Sequence, residues 1–270
     1  MISIFWFILL GLFIGGITGI TGASGVLIMV PIFSTFFDIP LPIILGTSLM
    51  VDVIVSISVS IAYARAKNLE IKRTLWIIVG ALLGAQIGSF FVISVSRIFI
   101  MFVIALGIIF FGIQMWRSGS LKHKNSAPIV PEKISFYMRT PVGMILSGLI
   151  IGLATGIFGA GGGISIFIFL YSFLNFPIKK AVGTSSFIML LTALSGVVGY
   201  ADNGNLDITF GLIIGISAAV GGALSSIIAN RIREEFLART IGAIFIFFAL
   251  IMFILKVLLP LLELYFGLKI

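Results

Sequence analysis

Residues 11–25 read GLFIGGITGITGASG, and residues 148–162 read GLIIGLATGIFGAGG. A constant shift of 137, from 11 to 148, superposes the two stretches without a gap. The same shift pairs residues further along the chain: Pro40 with Pro177, Gly46-Thr47-Ser48 with Gly183-Thr184-Ser185, Tyr63 with Tyr200, and Asn68 with Asn205. Chance matching in an apolar chain would align Leu with Ile, not Gly, Pro and Asn in one frame. The chain is therefore predicted to contain two copies of one unit.

The composition places the chain in a lipid bilayer. Of its 270 residues, 60% are hydrophobic and 10% are charged, whereas about a quarter of a soluble domain is charged. A single soluble core cannot bury so much apolar surface, so the bilayer is the expected solvent. The formal charge of +8 is carried in loops beside apolar runs, which indicates membrane topology rather than nucleic-acid binding. Cysteine is absent, which excludes disulfides and thiolate metal sites.

Each copy is predicted to contain five helical segments. They are roughly 3–20, 26–37, 43–64, 75–95 and 98–116 in the first copy, and roughly 140–157, 163–174, 181–200, 211–229 and 239–258 in the second. The second segment of each copy would span about 18 Å as a helix, which is short of the ~30 Å hydrocarbon core. Each glycine-broken pair is either a full span followed by a half-helix or a re-entrant hairpin. The predicted units are a first repeat at 1–116, a basic linker at 117–139, a second repeat at 140–258 and a tail at 259–270.

Charge indicates that the two copies have opposite orientations in the membrane. Loop 65–73 carries four Lys and Arg residues, whereas its partner in the second copy carries Asp202 and Asp207 and no basic residue. Placing loops 65–73, 179–180 and 231–239 and the linker in the cytoplasm puts 14 of the 17 Lys and Arg residues there. The positive-inside rule then predicts inverted repeats in the plasma (inner) membrane, with both termini outside. Inverted repeats with interrupted helices are typical of secondary transporters.

The two glycine-rich breaks are the best candidates for a ligand site. Each precedes a short helix, whose unpaired N–H groups and dipole favour an anion. Glycine also allows a ligand to approach the backbone closely. Close helix packing is the alternative, and it is favoured for the ladders Gly11-Gly15-Gly19 and Gly148-Gly152-Gly156. The candidate residues are Gly22, Ala23, Ser24 and Gly25 in the first break and Gly159, Gly161, Gly162 and Gly163 in the second.

Hydroxyl groups at the start of a longer helix in each copy are further candidates for anion binding. They belong to Thr47, Ser48, Thr184 and Ser185. Such hydroxyls can donate to an oxyanion from opposite sides of a central site. The alternative is that they bond back to the preceding turn or cap the helix.

Asp52 is an acidic residue well inside a predicted span, and the repeat places Met189 at the matching position. A carboxylate within the membrane is a candidate functional group, so Asp52 is a candidate for coupling transport to a proton or to another cation. A structural partnership with Thr, Ser or Gln86 is the alternative. Gln86 is paired with Ala223 and is a candidate either for ligand contact or for helix packing.

An enzymatic function is not expected. Gly22-Ala23-Ser24-Gly25 matches the Gly-x-Ser-Gly pattern of intramembrane rhomboid proteases, but a nucleophilic serine needs a base. The one histidine of the chain, His123, lies in the basic linker. A lone histidine and an isolated membrane carboxylate do not form a metal site. The sequence therefore predicts no cofactor, no metal and no nucleic-acid partner.

The second break and the residues after it resemble a known family. GLIIGLATGIFGAGGG at 148–163 and AVGTS at 181–185 are similar to the signature of the sulfite exporter TauE/SafE family, also called the toluene-sulfonate uptake permeases. The first copy repeats this signature more loosely, with Ser24 and Val26 in place of Gly161 and Gly163. The resemblance implies a plasma-membrane transporter for sulfite, sulfonates or related organosulfur anions.

These observations predict an all-α polytopic membrane protein that works as a secondary transporter. A small anion is expected to bind where the two breaks and the two Gly-Thr-Ser helix starts converge, and alternating access is expected to carry it across the bilayer. The expected partners are the anion, the lipid bilayer and, for a coupled carrier, protons. A small-anion channel and a non-transporting membrane scaffold or receptor are the alternatives.

Overall fold

The computed structural model describes residues 4–37, 39–90, 136–158 and 162–254, together with Ile109, Gly112, Ile113, Trp116, Arg117 and Leu258. These ranges are helical and contain no strand. The helices are α1 (Ile4–Thr21), α2 (Val26–Phe36), α3 (Leu41–Arg65), α4 (Leu75–Phe90), α5 (Pro141–Phe158), α6 (Gly163–Ser172), α7 (Ile178–Asp202), α8 (Ile208–Arg231) and α9 (Glu234–Phe253). Most of the predicted segment 98–116, most of the linker and the tail lie outside the described residues. The proposed unit boundaries therefore stay predictions.

The fold is that of a multi-pass membrane protein, as predicted. Within the described ranges, α1, α3, α7 and α8 are long and apolar enough to cross a bilayer. Large apolar side chains stand exposed in stripes on the outer surface of α4 and of α8, where lipid is the expected neighbour. The stripes obey the shift of 137: Val79 pairs with Ile216, Leu83 with Val220, and Ile87 with Leu224.

Each short helix folds back along the helix before it. The Phe7 ring, near the start of α1, lies 6.1 Å from the Phe33 ring and 5.7 Å from the Phe37 ring at the end of α2. In the second copy, Arg139 Nε before α5 donates to the Phe173 carbonyl after α6 at 3.0 Å. Each pair of helices is therefore a helical hairpin, and whether its first helix crosses the bilayer fully stays a prediction. Gly22–Gly25 form the first tip, and Gly162 and Gly163 are the described residues of the second.

The two copies interlock through their first helices. α1 packs along α8, and α5 packs along α4, so each copy's first helix lies against a helix of the other copy. The glycine ladders form these contacts, as the packing interpretation predicts. For example, Ser225 Oγ donates to the Gly15 carbonyl at 3.3 Å, and Gly84 lies directly against the backbone of α5 at Leu149 and Leu153.

Neighbouring glycines on α1 provide a direct test of this packing. A Cβ at Gly15 would lie 2.7 Å from the Gly222 nitrogen, whereas a Cβ at Gly16 would meet nothing within 4 Å. Gly15→Ala is therefore expected to destabilise the protein by about 1–3 kcal/mol, the usual cost of overpacking, and Gly16→Ala to leave stability unchanged. The measurement is the thermal midpoint in detergent by size-exclusion chromatography. Equal midpoints for the two variants would contradict the close contact between α1 and α8.

The loops gather on two opposite faces. On one face, Asn230 Oδ1 accepts from Asn68 Nδ2 at 2.6 Å, and its carbonyl accepts from Lys179 Nζ at 2.9 Å. The Arg73 guanidinium also lies over the Phe176 ring, 6.0 Å from its centroid. Loop 66–74, the first turn of α7 and the junction of α8 with α9, which together carry most of the described Lys and Arg residues, therefore share this basic face.

The other face is formed by the start of α1, the end of α2 and the start of α8. Phe210 packs against Phe7 at 4.8 Å and against Phe33 at 6.1 Å. The loop before α8 carries Asp207 and is preceded by Asp202, and no Lys or Arg lies among its described residues 203–207. The inverted orientation of the two copies, which the sequence indicates through this charge difference, stays a prediction. Which face is cytoplasmic stays a prediction.

Candidate functional site

The two hairpin tips meet inside the protein. Gly163 packs directly on the Gly22 carbonyl, and a Cβ at Gly163 would also lie 2.5 Å from Met189 Sδ. A Cβ at Gly22 would lie 2.7 Å from Ser185 Oγ and 3.5 Å from Ser186 Oγ. The structure therefore brings together both glycine breaks and the start of α7. Ser186 and Met189 are not among the predicted site residues, although both follow the Gly-Thr-Ser motif on the same helix.

The first tip is held by its own chain. Gly22 has a φ of 68°, a left-handed conformation that glycine adopts without strain. Its N–H donates to the Thr18 carbonyl at 2.7 Å, and the Ala23 N–H donates to Thr21 Oγ1 at 3.0 Å. These bonds satisfy backbone donors that would otherwise remain free where α1 ends.

The Asp52 carboxyl group lies at the start of α2. Asp52 itself belongs to α3 and is fully buried. Its Oδ1 accepts from the Gly25 N–H at 2.7 Å, and its Oδ2 accepts from the Ser24 hydroxyl. A carboxylate at this position interacts favourably with the positive end of the α2 dipole. The Ser24 hydroxyl and the Gly25 N–H, two donors of the predicted anion site, thus bond to a side chain of the protein.

Among the described residues, no carboxylate caps the second tip. Gly162, with a φ of 76°, precedes α6, and no side chain caps this helix within the described residues. Met189 stands where the repeat would place Asp52, with its sulfur next to Gly163. Gly162 and Gly163 are both buried. The predicted site residues Gly159 and Gly161 lie outside the described residues.

The predicted threonines form a reciprocal pair of contacts between the copies. Thr47 Oγ1 accepts from the Asp207 N–H at 3.0 Å, and Thr184 Oγ1 accepts from the Glu70 N–H at 3.1 Å. The shift of 137 relates these contacts to each other. The Thr47 contact lies on the face that carries Asp207, and the Thr184 contact lies on the basic face. Each threonine joins a helix start to a loop of the other copy.

The serines of the same motif bond to their own helices. Ser48 Oγ donates to the Leu45 carbonyl at 2.8 Å, and Ser185 Oγ donates to the Val182 carbonyl at 3.0 Å. Gln86 Oε1 accepts from Ser195 Oγ at 3.3 Å, which links α4 to α7. These contacts correspond to the packing alternatives that the sequence left open, although Ser185 also faces the first tip.

Two tyrosines that sequence reasoning did not assign to the site support the tips. The Tyr63 hydroxyl donates to the Gly19 carbonyl, and the Tyr200 hydroxyl donates to the Gly156 carbonyl, both at 3.0 Å. Both tyrosines are buried, and both carbonyls belong to last turns, where carbonyls lack helical partners. The signal that could have found them is their match in the repeat, since Tyr63 and Tyr200 are separated by the same 137 residues.

The family model described as Sulfite exporter TauE/SafE matches residues 7–252 of the chain. The chain belongs to the TauE/SafE family. This range includes both hairpins, Asp52 and both Gly-Thr-Ser motifs. The members of this family are membrane transporters and not enzymes, so the protein is a multi-pass membrane transporter.

Curated relatives agree with this assignment. YunE of Bacillus subtilis, a probable membrane transporter protein, is 25% identical over 84% of this chain and 89% of its own length. YdhB of the same organism, with the same description, is 28% identical over 74% and 80%. The probable membrane transporter protein MJ0441 of Methanocaldococcus jannaschii is 29% identical over 72% and 70%. No solved structure matches the chain.

Proposed function

We propose that this TauE/SafE protein is a secondary transporter that carries a small oxyanion across the plasma membrane by alternating access. The observation that supports it most directly is the contact between Gly22 and Gly163, at which a hairpin tip from each copy meets the other inside the protein. Broken helices that meet at a repeat interface are where secondary transporters bind their substrates.

The proposed substrate is sulfite or a related sulfonate. The family description names sulfite, and a sulfite or sulfonate group presents oxygen acceptors to N–H and hydroxyl donors. We place the anion at the second tip, near Gly162, Gly163 and the Ser185 hydroxyl. The first tip is the poorer site, because its Ser24 hydroxyl and Gly25 N–H already donate to Asp52.

The reciprocal threonine contacts are the proposed gates. Thr184 and Glu70 close the basic face, where Lys180 Nζ also pairs with Glu70 Oε2 at 3.2 Å. Thr47 and Asp207 close the opposite face. Alternating access requires one pair to separate while the other stays joined, which opens the tips to one side at a time.

Flux measurements in proteoliposomes test the proposed function. Purified protein is expected to move sulfite or sulfoacetate saturably, at a rate that depends on an imposed pH gradient. Empty liposomes and an unrelated membrane protein serve as controls. Flux that rises linearly with concentration and ignores the gradient would indicate a channel. Absence of flux for these anions and for a wider oxyanion panel would contradict the transporter proposal.

A further inference from the structure

Two buried hydroxyls on α3 lack a hydrogen-bond partner. Ser56 Oγ and Ser60 Oγ are enclosed by protein, and neither finds a partner within the described part of the chain. Ser56 is 0% exposed and Ser60 is 6% exposed. An unpaired buried hydroxyl costs about 1–3 kcal/mol, so such groups usually interact with ordered water, with an ion or with a ligand.

The other serines in the helices show that this state is unusual here. Ser58, between the two, donates to the Val55 carbonyl at 2.8 Å. Ser48, Ser185 and Ser226 also donate to carbonyls of their own helices. Ser56 and Ser60 could satisfy their hydroxyls locally in the same way but point elsewhere.

The two hydroxyls continue the line that begins at Asp52. Residues 52, 56 and 60 are four apart, so they follow one another along one face of α3 with a rise of about 6 Å per step. Two hydrogen bonds of about 2.8 Å joined at one water span nearly that distance. The row ends about one and a half turns before Arg65, where α3 reaches the basic face. The other titratable group that follows on this face is Tyr63, which donates to the Gly19 carbonyl.

The second copy has no such row. The positions that match Asp52, Ser56 and Ser60 are Met189, Ala193 and Val197. These side chains are apolar, and Met189 and Ala193 are fully buried. The polar row is therefore confined to the copy that contains the buried carboxylate. A packing role shared by both copies does not explain it, because the matching side chains are apolar.

We propose that Ser56 and Ser60, with water between them, form a proton path from Asp52 to the basic face. A proton that enters at Ser60 binds an oxygen of this row, and the same oxygen releases another proton to the next oxygen towards Asp52. Each oxygen therefore gains one proton and loses one. Asp52 is the terminal acceptor and donor. The inference rests on the proposed transport function, because the path supplies the proton that would drive transport of the anion.

Single cysteines test the water in this path without any transport assay. The chain contains no cysteine, so Ser56→Cys and Ser60→Cys each carry one thiol. Small aqueous Ag⁺, added to membrane vesicles on the side of the basic face, is expected to block both thiols. Blocked thiols are counted by the loss of maleimide labelling after denaturation. Ala193→Cys and Val197→Cys, at the matching positions, are the controls and are expected to react at least tenfold more slowly.

Transport assays then test whether the path carries protons. The double variant Ser56→Ala/Ser60→Ala is expected to lose at least about tenfold in pH-gradient-driven uptake while retaining exchange of internal for external anion, which needs no proton release. Ser58→Ala is the matched control and should keep both activities. Thermal midpoints in detergent check that the wild type, the double variant and Ser58→Ala all fold.

Two results would overturn the proposal. One is Ag⁺ reactivity of Ser56→Cys as slow as that of Ala193→Cys, which would show that no water reaches this row. The other is gradient-driven uptake by the double serine variant equal to that of Ser58→Ala. Failure of the transport function itself would look different, because the wild-type protein would then show neither uptake nor exchange.

Discussion

Asp52→Asn is expected to abolish proton-driven accumulation of the anion. The amide has nearly the shape of the carboxylate and can still accept from the Gly25 N–H, but it cannot take up and release a proton. With one proton moved per anion, a gradient of one pH unit supports about tenfold accumulation, because a factor of ten in concentration corresponds to about 1.4 kcal/mol. In the variant the accumulation ratio should fall to about one. The measurement is uptake of labelled sulfite into proteoliposomes at fixed pH gradients.

Asp202→Asn is the control for this experiment. Asp202 ends α7 at the exposed surface, so its replacement removes a carboxylate but leaves the interior unchanged. It should transport like the wild type. Accumulation by Asp52→Asn equal to that of the wild type at each gradient would exclude Asp52 as the coupling group, and its contacts with Ser24 and Gly25 would then be structural.

Gly163→Ala is expected to reduce transport at least tenfold while the protein still folds. The new Cβ would press on the Gly22 carbonyl and lie 2.5 Å from Met189 Sδ. The methionine side chain can move, but the carbonyl belongs to the other hairpin tip, so the two tips must separate. A displacement of about 1 Å at a site can cost about 100-fold in rate. Initial rates of sulfite flux at saturating and limiting concentrations provide the measurement.

Gly16→Ala is the matched control for the tips. It adds the same methyl group to a glycine on α1, but nothing lies within 4 Å of the new atom. Its flux should equal that of the wild type. If Gly163→Ala is folded and transports at the wild-type rate, the contact between the tips has no part in the cycle.

Much of the fold could be predicted from residue pattern alone. The repeat follows from matched Gly, Pro and Asn, and the observed helices α3 and α7, Leu41–Arg65 and Ile178–Asp202, differ by the same constant shift. That α2 folds back on α1 could not be predicted, because it depends on whether Phe7 meets Phe33 and Phe37 across the turn. Such contacts join residues about 30 apart and leave no local signal.

Residue type and position select the glycine breaks and Asp52 as candidates, but they do not define which of these residues contact one another. Asp52 contacts the first break because of the way α3 lies beside the α1–α2 hairpin. The spacing of residues in the sequence does not define that arrangement. The threonines illustrate the same limit, because Thr47 and Thr184 bond to loops of the opposite copy. Their matched positions indicate a shared role but not the partner.

The position of Asp52 near the middle of the 25-residue helix α3 has an electrical consequence. In a cycle that moves one proton with one monovalent anion, the loaded carrier holds the anion and a neutral Asp52, whereas the empty carrier holds an ionised Asp52. Both forms carry the same charge, so the complete cycle transfers none. Membrane voltage, worth about 2.3 kcal/mol per charge per 100 mV, would then alter the speed of each half-cycle but not the final accumulation. A divalent anion would break this balance, so accumulation at clamped voltages would reveal the charge of the transported species.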